Sequence, residues 1–409
     1  MRILKASWLV ACDKNGTIIE NGAVVFDENI IKIDSIESIK EEYLEIEVED
    51  LGEDSVLMPG LINTHVHLEF SANKTTLQYG NFMDWLHSVM HSREELIEKS
   101  DQALIEKELK KILKTGTTTI GAISSYGFDL QPCLNTPLNV VFFNEVIGSK
   151  PEMIDTLFSD FKARLNQTLK HKSKRFIPAI AVHSPYSVHP FLLREVLSIA
   201  KEKKLCVTAH FLESNEEKEW LKDNTGGFLD FFMKLLGQNQ SVTSSMEFLE
   251  QFKQIEPLSF THCLQANNEE LKKIAELNGV INHCPTSNRL LNNSKLDLKK
   301  LKESDVVFSI GTDGLSSNNS LSMFDELRNA LMIHANSNIT KLSKKLLKAA
   351  TLNGARALGL NKGSLEKGKQ SDMIAFCLPD AIKNKEEVAM HIILHTKYVN
   401  KTIIGGEDV

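Results

Sequence analysis

A chain of 409 residues, 42% hydrophobic and 25% charged, has the make-up of an ordinary folded globular protein, which excludes a disordered or collagen-like chain. Its length is too great for one small core, so one large domain with a smaller one is the expected organisation. The formal net charge of −7 argues against nucleic acid as a partner, because phosphate-binding chains carry a basic face, and a small molecule is expected instead.

The opening "MRILKASWLVACDKNG" holds a short apolar run, but charged residues arrive too soon for a secretory signal, and no later run approaches a membrane span. A cytoplasmic protein without a membrane partner is expected. Six cysteines (Cys12, Cys133, Cys206, Cys263, Cys284 and Cys377) lack CxxC spacing, so reduced structural thiols are expected rather than disulfides or a cysteine-rich zinc site. Residues 1–57 alternate apolar and polar positions between turn signals such as "DKNG" and "ENG", which predicts short antiparallel strands and no helix.

From "VLMPGLINTHVH" onward, short apolar runs alternate with charged segments of helical period, the pattern of βα units. The predicted strands are "GLINTHVH", "GTTTIGAIS", "LNVVFFNEV", "FIPAIAVHS", "LCVTAHFLES", "LSFTHCLQ", "GVINHCPTS" and "VVFSIGTDG". Eight is the number that closes a (β/α)8 TIM barrel. Helices are predicted in "DQALIEKELKKILKTG", "HPFLLREVLSIAKEKK" and "KLSKKLLKAATLNGARALGL". Beyond them "GSLEKGKQSDMIAFCLP" and "AMHIILHTKYVNKTIIGGEDV" return to strand-like alternation. Residues 1–57 and 362–409 are therefore expected to form one small β-sandwich domain from both termini, with the barrel over 58–361.

Polar residues gather where the predicted strands end. In "THVH" side chains two apart on a strand point the same way, so His65 and His67 project together. His210 and Glu213 follow in "AHFLES", His262 in "THC" and Asp313 in "GTDG". A single strand-end histidine is more often a hydrogen-bonded structural residue, but the C-terminal strand ends of a barrel share one rim, where residues distant in sequence meet. Three histidines and a carboxylate suit one divalent metal ion, zinc being expected and iron(II) acceptable to the same donors. Such an ion lowers the pKa of a bound water toward neutrality, and Glu213 and His262 remain as acid and base groups.

These segments, with "HSPYSV", "HCPTSN", "GTDGLSSNNSLSMFDELR", "ATLNGARALGL" and "GSLEKGKQSDM", resemble the amidohydrolase superfamily over nearly the whole chain, in the branch of nucleoside deaminases and triazine hydrolases. The resemblance implies one metal held by His65, His67, His210 and Asp313, with Glu213 as proton shuttle and His262 orienting the attacking oxygen. No strand-end lysine stands where binuclear members carry a carbamylated bridge. It also implies hydrolytic deamination of an adenine ring, with His183, Glu94, Glu213 and Asp313 contacting the nucleoside, and a homodimer is common among such proteins. Trp85 and Glu94 match a family segment whose usual proline is missing here, and Ser322 stands where the family often has aspartate. "LNVVFFNEVIGS" lacks the arginine of members that process S-adenosylhomocysteine, which counts against recognition of an amino-acid carboxylate; over the whole chain the resemblance implies an adenine nucleoside bearing a carboxyphenyl ketone as substrate, with Arg93 or Arg289 near its carboxylate. Deamination of S-adenosylhomocysteine, methylthioadenosine or adenosine, or hydrolysis of a C–Cl bond, are the alternatives the same site allows.

Overall fold

The computed structural model describes residues 1–72 and 75–409. In chain order its strands are β1 (Arg2–Val10), β2 (Ile18–Phe26), β3 (Ile30–Ser35), β4 (Val48–Asp50), β5 (Ser55–Pro59), β6 (Leu61–Val66), β7 (Thr117–Ser124) and β8 (Asn139–Val146). They continue with β9 (Phe176–Val182), β10 (Val207–Phe211), β11 (Leu258–His262), β12 (Val280–His283), β13 (Val307–Ile310), β14 (Met373–Cys377), β15 (Lys401–Ile404) and β16 (Glu407–Asp408). No helix among the described residues is long and apolar enough to cross a membrane.

Strands β6 to β13 form one sheet in sequence order, each parallel to the next. All eight predicted strands are present. β7 and β8 are buried along their whole length, which is why they read as unbroken apolar runs rather than alternations. The seam between β13 and β6 is closed by individual bonds: Thr64 Oγ1 donates to the Ile310 carbonyl at 2.9 Å, and Thr312 N–H to the His65 carbonyl at 3.1 Å. The result is the expected (β/α)8 TIM barrel.

The remaining strands form a second sheet in which the chain ends interleave, since β14 lies antiparallel between β5 and β15. The period of two sorts its side chains into two cores. Leu57, Met373 and Ala375 join Leu4, Phe26 and Ile403 in a cluster drawn from both termini. Their neighbours Val56, Met58, Ile374 and Phe376 face the other way, onto the helices Met323–Ile333, Ile339–Ala349 and Val388–His395. Below the barrel a buried ion pair joins the two units. Lys362 Nζ meets Asp372 Oδ2, which also accepts from Asn139 Nδ2 of β8 at 2.9 Å, while Asp372 Oδ1 accepts from the Gly405 N–H at 2.8 Å.

Three expectations about local structure change. A helix over Ile36–Glu42 stands where none was expected; Ser35 caps it, and it buries Ile36 and Ile39. Seven residues are two turns, too few to display a helical period. Val388–His395 is a helix rather than a strand, and it lies against the barrel's outer helices. The helix predicted through "KLSKKLLKAATLNGARALGL" is two, Ile339–Ala349 and Leu352–Leu358. Between them the Ala350 carbonyl accepts from Ile62 N–H at 2.7 Å, and the Thr351 hydroxyl bonds back to the Leu347 carbonyl at 2.6 Å. Five cysteines are buried and Cys377, the last residue of β14, is exposed. Burial pushes the Cys12 and Cys206 thiols up to about 12.

Candidate active site

At the end of β6, His65 and His67 bring their Nε2 atoms to 3.1 Å of one another. His210, near the end of β10, adds a third Nε2 at 3.1 Å from His65 and 3.4 Å from His67. Asp313, three residues past β13, sets Oδ1 3.7 Å from His65 Nε2 and 3.6 Å from His67 Nε2. Four donors about 2.0–2.1 Å from one ion would lie roughly 3.3 Å apart in a tetrahedron. The three imidazole nitrogens stand at that spacing, with the carboxylate slightly further out.

Three of the four donors are aimed by a second contact. His210 Nδ1–H donates to the His183 carbonyl at 2.8 Å, which leaves the Nε2 lone pair facing the other donors. His65 Nδ1 lies 3.3 Å from Thr261 Oγ1. Asp313 Oδ2 accepts from the hydroxyls of Ser287 at 2.7 Å and Ser317 at 2.9 Å, and Oδ1 from the Gly314 N–H at 2.9 Å. Burial, with neighbouring imidazoles adding to it, drives the pKa values of His65 and His210 well below the usual range, so both rings are neutral. Burial alone would raise the Asp313 carboxyl; the facing His67 and the hydrogen bond from Ser287 oppose it, and the carboxyl stays below the ordinary range. Neutral imidazoles and an ionised carboxylate are the protonation states a divalent ion requires.

Beside this cage lie the two groups with acid–base character. His262 Nε2 is 3.4 Å from Glu213 Oε1 and 4.0 Å from Asp313 Oδ2. Burial, reinforced by the Asp313 charge, pushes the Glu213 carboxyl well above the usual carboxylate range, which favours its proton-bearing form. Burial lowers His262, which is neutral. Its Nδ1–H donates to Asn288 Oδ1 at 2.8 Å, and its Nε2 lone pair turns toward the cavity. Asn288 Nδ2 in turn donates to His283 Nδ1 at 3.1 Å, and His283 Nε2 is 3.1 Å from His334 Nε2. Leu212, His262, Cys263 and Asp313 all have positive φ, between 47° and 70°. Left-handed backbone costs a non-glycine residue about 1–3 kcal/mol, and its concentration at these strand ends marks where the chain turns to present side chains.

The cage forms the floor of a cavity of about 460 Å³ lined by His67, His183, His210, Glu213, His262 and Asp313. Its outer wall is apolar, built by Trp85, Leu86, Val89 and Met90 of the helix Phe82–Lys99 and by Phe231, Phe232 and Leu235 of the helix Gly227–Leu236. Trp85 is fixed by its indole N–H, which donates to the Ser316 carbonyl at 2.9 Å. Arg93 lines the mouth with its guanidinium 5.2 Å from the Tyr126 ring centroid, and Lys150 lines it as well. A second cavity of about 430 Å³, beside Glu108 and Arg328, contains none of these donors.

His183 turns its ring into the cavity and anchors Nδ1 on the Ser187 hydroxyl at 2.6 Å. Glu94 stays outside: it is exposed and absent from the lining. Without the proline, Phe82–Lys99 runs as one unbroken helix, which carries Glu94 about 13 Å along the axis beyond Trp85. Arg289 is likewise exposed and outside. Ser322 caps the helix Met323–Ile333. Sequence reasoning missed Ser287, Asn288 and Ser317, which position the reacting groups, and Glu145, which lines the cavity. Ser287, Asn288 and Ser317 lie within the segments "HCPTSN" and "GTDGLSSNNSLSMFDELR", and Glu145 is a lone acid inside the apolar run "NVVFFNEV".

A closed parallel barrel with a histidine and carboxylate cage at its C-terminal rim is the architecture of the amidohydrolase family, whose model matches residues 56–409; the chain belongs to that family. It is an enzyme of hydrolytic C–N cleavage, in a family that works with a divalent metal. The chain is 46% identical over 408 residues to the aminodeoxyfutalosine deaminase of a Nitratiruptor species, covering 100% of this chain and 99% of that one. It is 35% identical over 412 residues to an adenosine deaminase of Helicobacter pylori, covering 100% and 99%. The crystal structure of Helicobacter pylori aminofutalosine deaminase in complex with methylthio-coformycin matches with a TM-score of 0.96 at 34% identity, over 100% of both chains.

Proposed function

We propose that the protein hydrolytically deaminates the adenine ring of 6-amino-6-deoxyfutalosine, giving futalosine and ammonia, a step of menaquinone synthesis. One observation supports the reading: the ring nitrogens of His65, His67 and His210 and a carboxylate oxygen of Asp313 converge beside Glu213 and His262 in the cavity of a chain 46% identical, end to end, to an aminodeoxyfutalosine deaminase. His65, His67, His210 and Asp313 would hold the ion, zinc by its liking for nitrogen-rich sites of this size. When bound, the ion supplies the positive charge that lowers the pKa of a water toward neutrality.

The side chains divide the remaining work. Asp313, ionised, accepts the first proton of the attacking water, and His262 Nε2 accepts a hydrogen bond from its remaining O–H and so aims the oxygen at C6. Glu213 donates its proton to the adjacent ring nitrogen as the C6–O bond forms, which keeps negative charge from building on the ring. The proton on Asp313 passes to the exocyclic amine, the C6–N bond breaks and ammonia leaves. The hydroxyl proton returns to Glu213 as the C6 carbonyl forms, restoring both acids. His183 lies at the side of the cavity, where it can meet the nucleoside, and the apolar wall between Met90 and Leu235 suits an aryl substituent ending at Arg93.

Ammonia release tests the proposal, with metal-loaded enzyme and 6-amino-6-deoxyfutalosine, S-adenosylhomocysteine, methylthioadenosine and adenosine as substrates, and Asp313→Asn as the blank. The first should turn over with the highest kcat/KM; equal or better turnover of another nucleoside would overturn the substrate assignment. Metal analysis of the purified protein should give one zinc per chain, and one iron would correct the choice of ion.

A further inference from the structure

Glu145, near the end of β8, is 2% exposed yet lines the catalytic cavity. Its two carboxylate oxygens are in different situations. Oε2 accepts from the Ser125 hydroxyl, whereas Oε1 is buried with no hydrogen-bond partner among the described residues. The anchor is itself held: Glu69 accepts from the backbone N–H of Ser125 at 2.7 Å and Gly127 at 2.8 Å, with Tyr126 and Phe128 also donating to it. Arg164 Nη2 donates to the Glu145 carbonyl at 2.7 Å, which fixes the strand end from the other side. The carboxylate is thus held firmly with one acceptor open.

Buried polar atoms in folded proteins find partners, and a carboxylate oxygen can only accept, so the missing partner is an O–H or N–H donor. A carboxylate oxygen of Glu145 and ring nitrogens of His183 and His210 lie within 4.8 Å of one another, which puts the carboxylate beside the cage rather than at the mouth. With adenine on the cavity floor, its exocyclic amine and ring nitrogen are engaged by Asp313 and Glu213. The donors left on an adenine nucleoside at that distance are sugar hydroxyls. Glu213 and Asp313 are the other carboxylates of the lining, and Glu94 is outside it. We infer that Glu145 is a substrate-binding residue whose Oε1 accepts a hydrogen bond from a ribose hydroxyl, so that it sets the enzyme's preference for ribonucleosides over deoxyribonucleosides. This rests on the reading of the site as an adenine-nucleoside deaminase.

The test compares wild type, Glu145→Gln and Glu145→Ala on adenosine and methylthioadenosine and on the 2′-deoxy and 3′-deoxy forms of adenosine. Wild type should lose about ten- to hundredfold in kcat/KM when the bound hydroxyl is removed, the range for one hydrogen bond to a charged group. Glu145→Ala should lose a similar factor on the ribonucleosides, mostly through KM, and less than about threefold on the deoxy compound that lacks the bound hydroxyl. A merely structural residue would depress all substrates alike, and that outcome overturns the inference. Should the alanine variant fail to fold, Ser125→Ala leaves the carboxylate in place but frees it, and it should shrink the same ratio; an unchanged ratio counts against the inference. Loss of the inference leaves wild-type turnover of ribonucleosides intact, whereas a wild type inert on every adenine nucleoside overturns the underlying reading and this one with it.

Discussion

Two clusters of charge are buried at opposite ends of the barrel, and they are built in opposite ways. At the end joined to the terminal sheet, Asp372 is saturated: Lys362 and Asn139 share one oxygen and the Gly405 N–H takes the other. At the rim, burial pushes the Glu213 carboxyl well above the usual range, the histidine ring nitrogens face one another, and one oxygen of Glu145 has no hydrogen-bond partner among the described residues. Asp372 has a cation among its partners within the fold; at the rim Glu145 leaves one oxygen without a partner among the described residues, and Asp313, though it accepts three hydrogen bonds, still faces the ring nitrogens of His65 and His67. Burial is common to both ends, and the kind of neighbour separates them.

The comparison can be broken most severely at Glu213. Glu213→Gln should lower kcat/KM by about 10²–10⁴-fold, the usual worth of a positioned proton donor, while a thermal melt shows no loss of stability. A matching fall in stability would mean that the rim is structural too. At the other end Lys362→Met should do the reverse. It leaves Asp372 buried without its cation and should cost about 3–5 kcal/mol in denaturant unfolding, with kcat per folded molecule unchanged.

His334 sharpens the picture through pH, since it ends the chain of contacts from His262 through Asn288 and His283. Burial, with Lys295 nearby, lowers its pKa from 6.5 to about 4. Between those values the unfolded chain binds the proton and the native protein does not, so stability falls as pH drops from about 6.5 toward 4. Wild type should lose on the order of 2 kcal/mol between pH 7 and pH 5 from this ring, and His334→Gln should flatten that slope in urea titrations at the two pH values. The smallest effect belongs to the mouth. Arg93→Ala should raise KM about two- to fivefold for a nucleoside carrying a carboxylate and leave adenosine unchanged, as expected for an exposed ion pair.

The division between the two ends was only half legible in the sequence. Buried parallel strands must be continuously apolar, so a histidine or aspartate at the end of such a run stands out, and His65, His67, His210, His262 and Asp313 were visible for that reason. The groups that aim them were not. Ser287 and Asn288 lie in a short helix after β12 and Ser317 in the loop after Asp313, where polar residues are ordinary and only the folded chain shows which neighbour they face. Glu94 depended on a local geometry that a missing proline changes, so residue spacing alone could not place it. The short helix Ile36–Glu42 was hidden because its two turns show no period, and its boundary comes from the Ser35 cap.

The thiols have a practical consequence. Cys377 is exposed on β14, while Cys12 lies in the terminal sheet's contact with the barrel, Cys133 in the barrel's flank, Cys206 just before β10 against the Ala357 carbonyl, and Cys263 and Cys284 just past the ends of β11 and β12. A maleimide therefore finds one site on the native molecule and six on the unfolded one, so the unmodified protein reports its own opening by mass. The order in which the other five become labelled in rising urea would tell which end of the barrel gives way first.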